Sequence, residues 1–118
     1  MAQDTPPSCP LPRWQLLKQE LTNVGPTDFD RLRREAPPGT LLDVRNEQEF
    51  TAHHLEGATN INYLGPDFLE QIEKLDPQQT YLVYCRSGRR SVRACTLMKN
   101  SGITKLIHLD GGINAYGS

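Results

Sequence analysis

The chain has 118 residues, the length of one domain with a short arm. Its 13 basic and 14 acidic residues leave a formal net charge of −1, which excludes a strongly basic nucleic-acid binder and argues against a membrane-surface protein. Hydrophobic residues make up 36% and no apolar run approaches the ~18 residues that a membrane span requires. Three cysteines cannot all pair within one chain, so reduced thiols and a cytoplasmic setting are expected.

In chain order, the Pro-rich lead MAQDTPPSCPLPR has no apolar export segment, and Cys9 within it is expected to be exposed and without a role. From Arg13 to Leu21, Trp14, Leu17 and Leu21 recur at helical spacing. This predicts a helix docked on the body of the domain, with a partner-binding arm as the alternative. The division expected is a lead and docking helix over 1–24 and a domain over 25–118.

Strands and helices then alternate. Leu21 to Val24 is a weak strand. Thr27 is a candidate cap for a helix carrying Phe29, Leu32 and Ala36, which Pro37-Pro38-Gly39 ends. Thr40 to Arg45 is a short apolar run ending in charge, as a buried strand would be. Asn46 with Glu49 three residues on predicts a capping box at the head of a short helix; this reading outweighs a catalytic acid at Glu49. Ala58 to Asn62 predicts a short strand. Pro66 suits the first turn of a helix with Phe68, Leu69, Ile72 and Leu75 on its apolar side. Thr80 to Tyr84 is the strongest strand, Ser91 to Asn100 a helix with Ala94, Cys95, Leu97 and Met98 inward, and Lys105 to Leu109 the last strand. Strands separated by helices of this length predict a parallel sheet covered on both faces, with ligands beyond the carboxyl ends of the strands.

Cys85-Arg86-Ser87-Gly88-Arg89-Arg90-Ser91 lies at such an end, between the strongest strand and a helix. Backbone N–H groups in a tight strand-to-helix loop can converge into an anion cradle, and the helix N-terminus adds positive potential. Gly88 opens conformations closed to other residues. Three arginines add permanent charge. This field favours the thiolate of Cys85, giving a nucleophile beside an anion site. A lone buried cysteine would be inert, but a cysteine, a glycine and three arginines in one loop reverse that reading.

Four segments together resemble the single-domain rhodanese family of sulfurtransferases over about Gly25 to Tyr116. They are Leu41-Leu42-Asp43-Val44-Arg45; Glu49-Phe50 with His54-Leu55-Glu56-Gly57-Ala58 and Asn60-Ile61; Tyr84 to Ser91; and Leu109-Asp110-Gly111-Gly112-Ile113-Asn114-Ala115-Tyr116. His53 stands where the family usually has Gly, and Tyr116 where it usually has Trp. The resemblance implies a three-layer α/β/α fold around a central, mostly parallel five-stranded sheet. It implies that Cys85 takes a sulfane sulfur from a small anionic donor such as thiosulfate, becomes a persulfide, and passes the sulfur to cyanide, a small thiol or a protein thiol. Arg86 and Arg90 would attract the donor and stabilise the persulfide. The backbone of Arg86, Ser87, Gly88, Arg89, Arg90 and Ser91 would hold the terminal sulfur. No metal or organic cofactor is implied.

Asp43 and Arg45, at a neighbouring strand end, read equally as support for the loop arginines or as an ordinary pair. His53, His54 and His108 lack metal-ligand spacing with any cysteine pair, and the family pattern makes His54 structural. Cys95 reads as a small core residue ahead of a resolving thiol. Gly111-Gly112 reads as a turn, since no P-loop Lys-Ser/Thr follows. Two alternatives to a free-standing enzyme stay open. One is a persulfide carrier or partner-binding module. The other is a Cys-based phosphatase or arsenate reductase, whose loop has the form Cys-x₅-Arg; here four residues separate Cys85 from Arg90, although the adjacent Arg89 leaves a shifted register open.

Overall fold

A computed structural model describes residues 11–116. The lead through residue 10, with Cys9, lies outside the described residues. Helix α1 spans Arg13–Lys18 and is followed by strand β1 (Thr22–Val24), α2 (Pro26–Glu35), β2 (Leu41–Asp43), α3 (Glu47–Ala52) and β3 (Thr59–Asn60). Then come α4 (Phe68–Glu73), β4 (Tyr81–Tyr84), α5 (Arg89–Asn100), β5 (Leu106–Leu109) and a 3₁₀ turn at Ile113–Tyr116. No described helix is long and apolar enough to cross a membrane.

The five strands form one sheet in the order β1-β5-β4-β2-β3, and every pairing is parallel. This is the α/β architecture that the alternation of elements predicts. The strands are short apolar runs because both faces are covered: all four residues of β4 and all three of β2 are buried. The two-residue strand period sorts their side chains into two layers. Tyr81, Val83 and Cys85 join Leu42, Phe68, Ile72, Ala94, Cys95 and Met98 on the α4–α5 side. Leu82 and Tyr84 join Phe29, Leu41 and Leu109 on the α2 side. Cys85 therefore points to the layer whose helix, α5, begins just after it.

Several local expectations are corrected. Thr27 does not cap α2; Gly25 is the N-cap and Pro26 occupies the first turn, where its missing N–H costs nothing. Pro66 sits in the turn ahead of α4, whose N-cap is Asp67. Leu69 is 53% exposed, because the short α4 turns only Phe68 and Ile72, four residues apart, towards the sheet. Helix α5 starts at Arg89 rather than Ser91, so two of the loop arginines lie in its first turn. Helix α1 packs against α5. Lys18 Nζ lies 2.5 Å from Asp110, and the Trp14 ring is 5.3 Å from the Arg89 guanidinium carbon.

Candidate active site

The site is built where β4 ends and α5 begins. Cys85 is buried at 1% exposure, and its Sγ accepts two backbone hydrogen bonds, from Gly88 N–H at 3.1 Å and Ser91 N–H at 3.3 Å. Two peptide groups can converge on one sulfur because Gly88 takes φ +106°, a left-handed conformation that lets the loop fold back into the helix N-cap. The Ser91 N–H belongs to the first turn of α5, whose N–H groups have no intrahelical acceptor.

The carbonyl side of the loop is held by the segment after β5. Ile113 N–H donates to the Cys85 carbonyl at 2.9 Å and Asn114 N–H to that of Arg86 at 3.0 Å. This contact explains the glycine at position 112. A Cβ on Gly112 would lie 2.3 Å from the Arg86 carbonyl oxygen, at a residue whose φ is +67°. Gly111-Gly112 is a turn, as its composition suggests, and also the floor on which the loop rests.

Of the loop arginines, Arg90 is committed. Its guanidinium makes a bidentate pair with Glu49, at 2.7 and 2.9 Å. Glu49 also completes the capping box with Asn46, so one carboxylate caps the start of α3 and anchors the first turn of α5. The hydrogen bond from Arg90 holds the Glu49 carboxyl down to about 2. Arg86 and Arg89 are exposed. With Ser87, Arg90, Arg93, Asn46, Glu49 and Leu64 they line an open cup of about 610 Å³.

Asp43 and Arg45 lie at the neighbouring strand end, both buried. The Arg45 guanidinium donates to both Asp43 oxygens, at 2.7 to 3.1 Å, and to the His53 carbonyl at 2.5 Å, with the Tyr84 ring beneath it at 5.8 Å. The pair closes on itself and makes no hydrogen bond to Arg86, Arg89 or Arg90 among the described residues. His54 stacks on Phe50 and bonds its carbonyl. Cys95 is fully buried, and burial pushes its thiol up to about 12.

Three links escape the sequence reading. One is the Glu49–Arg90 pair. Another is the close approach of Gly112 to the loop. The third is a buried chain behind the sulfur: Asn23 on β1, His108 on β5 and Ser91 on α5. His108 Nδ1 lies 2.8 Å from Asn23 Oδ1, and Nε2 lies 2.6 Å from the Ser91 hydroxyl. A polar residue at the same register position of two paired strands, Asn23 opposite His108, was the available signal.

Residues 26–118 match the rhodanese-like domain family. The chain belongs to that family. It is 35% identical over 85 residues to thiosulfate sulfurtransferase 16 of Arabidopsis thaliana, an alignment covering 64% of this chain and 71% of that protein. It is 34% identical over 85 residues to the mitochondrial protein HIGH ARSENIC CONTENT 1 of the same plant, covering 64% of this chain but only 50% of the relative, so the chain spans about half of that protein's length. A human single-domain sulfurtransferase superposes with a TM-score of 0.65 at 21% identity, covering 80% of this chain and 93% of the other, a likeness of fold. The rhodanese fold thus accounts for the sheet order and for the loop at the end of β4, and sulfurtransferases are among this rhodanese domain's relatives.

Proposed function

We propose that this rhodanese domain is a thiosulfate-type sulfurtransferase that works through a persulfide on Cys85. The observation that carries the reading is the convergence of two backbone N–H groups on Cys85 Sγ, in a loop whose arginines line an open cup. Such fixed donors stabilise charge at sulfur without reorganising.

In the first half-reaction the Cys85 thiolate attacks the outer sulfur of thiosulfate. The new S–S bond forms as the S–S bond of the donor breaks, and sulfite leaves with that electron pair. In the second half-reaction cyanide or a thiolate attacks the terminal sulfur, and Cys85 departs as thiolate. No external oxidant or reductant is needed. Arg86 and Arg89 attract the dianionic donor at the rim. Arg90, held by Glu49, fixes the first turn of α5 and adds charge near the sulfur. The N–H groups from Arg86 to Ser91, including those of Ser87 and Gly88, supply donors for the outer sulfur of the persulfide. Asp43 and Arg45 act at one remove, by fixing the connection that delivers Glu49. A reducing compartment, such as the cytoplasm, keeps the thiol available.

The loop has four residues between Cys85 and Arg90, one fewer than a phosphatase loop. A shorter loop aims fewer N–H groups at the three equatorial oxygens of a phosphoryl group. The test is intact mass after incubation with thiosulfate. A gain of one sulfur atom, about 32 Da, removed again by cyanide, is expected of a covalent sulfur carrier. Faster hydrolysis of an aryl phosphate than transfer of sulfur would replace this reading with the phosphatase one.

A further inference from the structure

The two residues whose N–H groups hold the Cys85 sulfur share one neighbour. His108 Nε2 bonds the Ser91 hydroxyl, and its Cε1 lies 3.8 Å from the point where a Cβ on Gly88 would stand. The imidazole is itself fixed from behind. The Asn23 side-chain amide donates to the Lys18 and Leu21 carbonyls, at 3.0 and 3.1 Å, which turns its oxygen towards His108. His108 Nδ1–H must then donate to Asn23, leaving the Nε2 lone pair to accept the Ser91 hydroxyl proton. That hydroxyl also sits 3.2 Å from the Gly88 carbonyl, but its single proton goes to the shorter contact at 2.6 Å. The Gly88 carbonyl has its own donor, Val92 N–H at 3.1 Å. Among the described residues no buried side-chain nitrogen or oxygen lacks a partner.

We propose that His108 is a positioning residue of the sulfur site: as a neutral acceptor fixed by Asn23, it locks Ser91 and Gly88 so that their N–H groups stay aimed at Cys85 Sγ. The inference rests on the sulfurtransferase reading for its kinetic consequence, but its geometric content concerns the thiolate alone. Burial lowers the imidazole to about 4, with Asp110 and the Gly88 backbone opposing and Lys18 assisting, so the acceptor form persists at neutral pH. A proton relay is not involved, because His108 touches Ser91 and not the sulfur.

Four proteins test this: the unmodified chain, His108→Leu, His108→Gln and Ser91→Ala. Two rates are followed at one fixed pH. The first is alkylation of Cys85 by iodoacetamide, resolved from the other cysteines by peptide mass. The second is sulfur loading at saturating thiosulfate. Loss of the lock should slow both by about tenfold in His108→Leu and Ser91→Ala, the effect of one hydrogen bond. The KM for thiosulfate should stay within about twofold, because the rim arginines are untouched. A glutamine reaches as far as Nε2 and can accept the same proton, so His108→Gln should recover most of both rates. Unmodified rates in Ser91→Ala, or equal slowing in His108→Gln and His108→Leu, would overturn the proposal. Should His108→Leu fail to fold, Ser91→Ala and His108→Gln decide it. Should the unmodified protein take up no sulfur, the functional reading fails while the alkylation rates still judge the lock.

Discussion

The carboxyl ends of β2 and β4 are neighbours in the sheet, and at each a residue able to carry negative charge is followed closely by arginine: Asp43, the last residue of β2, and Cys85, the first after β4. Their physics differs. At the end of β2, Asp43 and Arg45 are both buried and pair with one another, and Arg45 Nη2 also donates to the His53 carbonyl. At the end of β4, Cys85 Sγ receives two peptide N–H groups, and Arg86 and Arg89 stand exposed around a cup. One end is closed and the other open. Charge alone does not distinguish the two ends; what separates them is whether the charged side chains are buried against each other or stand open to a molecule not yet bound.

Substitutions at the two ends should accordingly be read by different instruments. Cys85→Ser should cut thiosulfate:cyanide sulfur transfer by about a thousandfold or more, as loss of a nucleophile does. Its melting temperature should stay near that of the unmodified protein. Cys95→Ala and Cys9→Ser should keep most of the activity. Turnover surviving in Cys85→Ser would dissolve the contrast between the two ends.

Asp43→Ala should act the other way. Removing one partner of a buried pair strands the other, a loss of about 3 kcal/mol or more. Chemical denaturation should show it as a lower midpoint with unchanged slope. A stability loss below about 1 kcal/mol, the range of surface pairs, would mean that the β2 end is not closed after all.

Gly112→Ala probes the floor of the open end. The added Cβ would meet the Arg86 carbonyl at 2.3 Å, so the loop must shift. A displacement of about 1 Å at a reacting group can cost about a hundredfold, and sulfur transfer should fall by that order. Activity within twofold of the unmodified protein would show that the loop does not depend on this support.

Much of this was legible in sequence because it is local. Alternating apolar runs and helical periodicities forecast a parallel sheet, and Cys85, Gly88 and three arginines in one loop marked the open end. The Asn46–Glu49 capping box is a spacing rule, and it formed. What stayed hidden depends on distance along the chain. Glu49 meets Arg90 forty-one residues away, and Asn23 meets His108 eighty-five away. Neither contact leaves a trace in local pattern, because a helix cap and a polar strand residue are each sufficient readings by themselves. Asp43 and Arg45 stayed ambiguous for a related reason: the sequence places them beside the loop, but only burial and bond direction show that they turn to each other. Two helix starts differ from the sequence expectation: the Thr27 hydroxyl suggests a cap where Gly25 is the N-cap, and α5 begins at Arg89, directly after the left-handed Gly88, two residues ahead of Ser91.

The smallest expected effect lies on the bridge between the two ends. Glu49 grows from the connection after β2 and holds Arg90 at the start of α5, with both side chains about a quarter exposed. Its carboxyl sits near 2 in the folded protein against an ordinary value of 4.5, chiefly because Arg90 hydrogen-bonds the charged form. A lowered carboxyl contributes stability above its unfolded value, and that contribution is lost as pH falls from about 4.5 towards 2. Glu49→Gln keeps a side chain able to close the capping box but removes the charge. It should therefore be less stable than the unmodified protein at neutral pH by about 1 kcal/mol, the upper range for a partly exposed pair. Denaturation midpoints measured from pH 7 downward should converge as Glu49 itself becomes protonated. A gap that stays constant into acid would show that the pair contributes nothing through charge. In that case the charge of Arg90 would be left to the open end, beside those of Arg86 and Arg89.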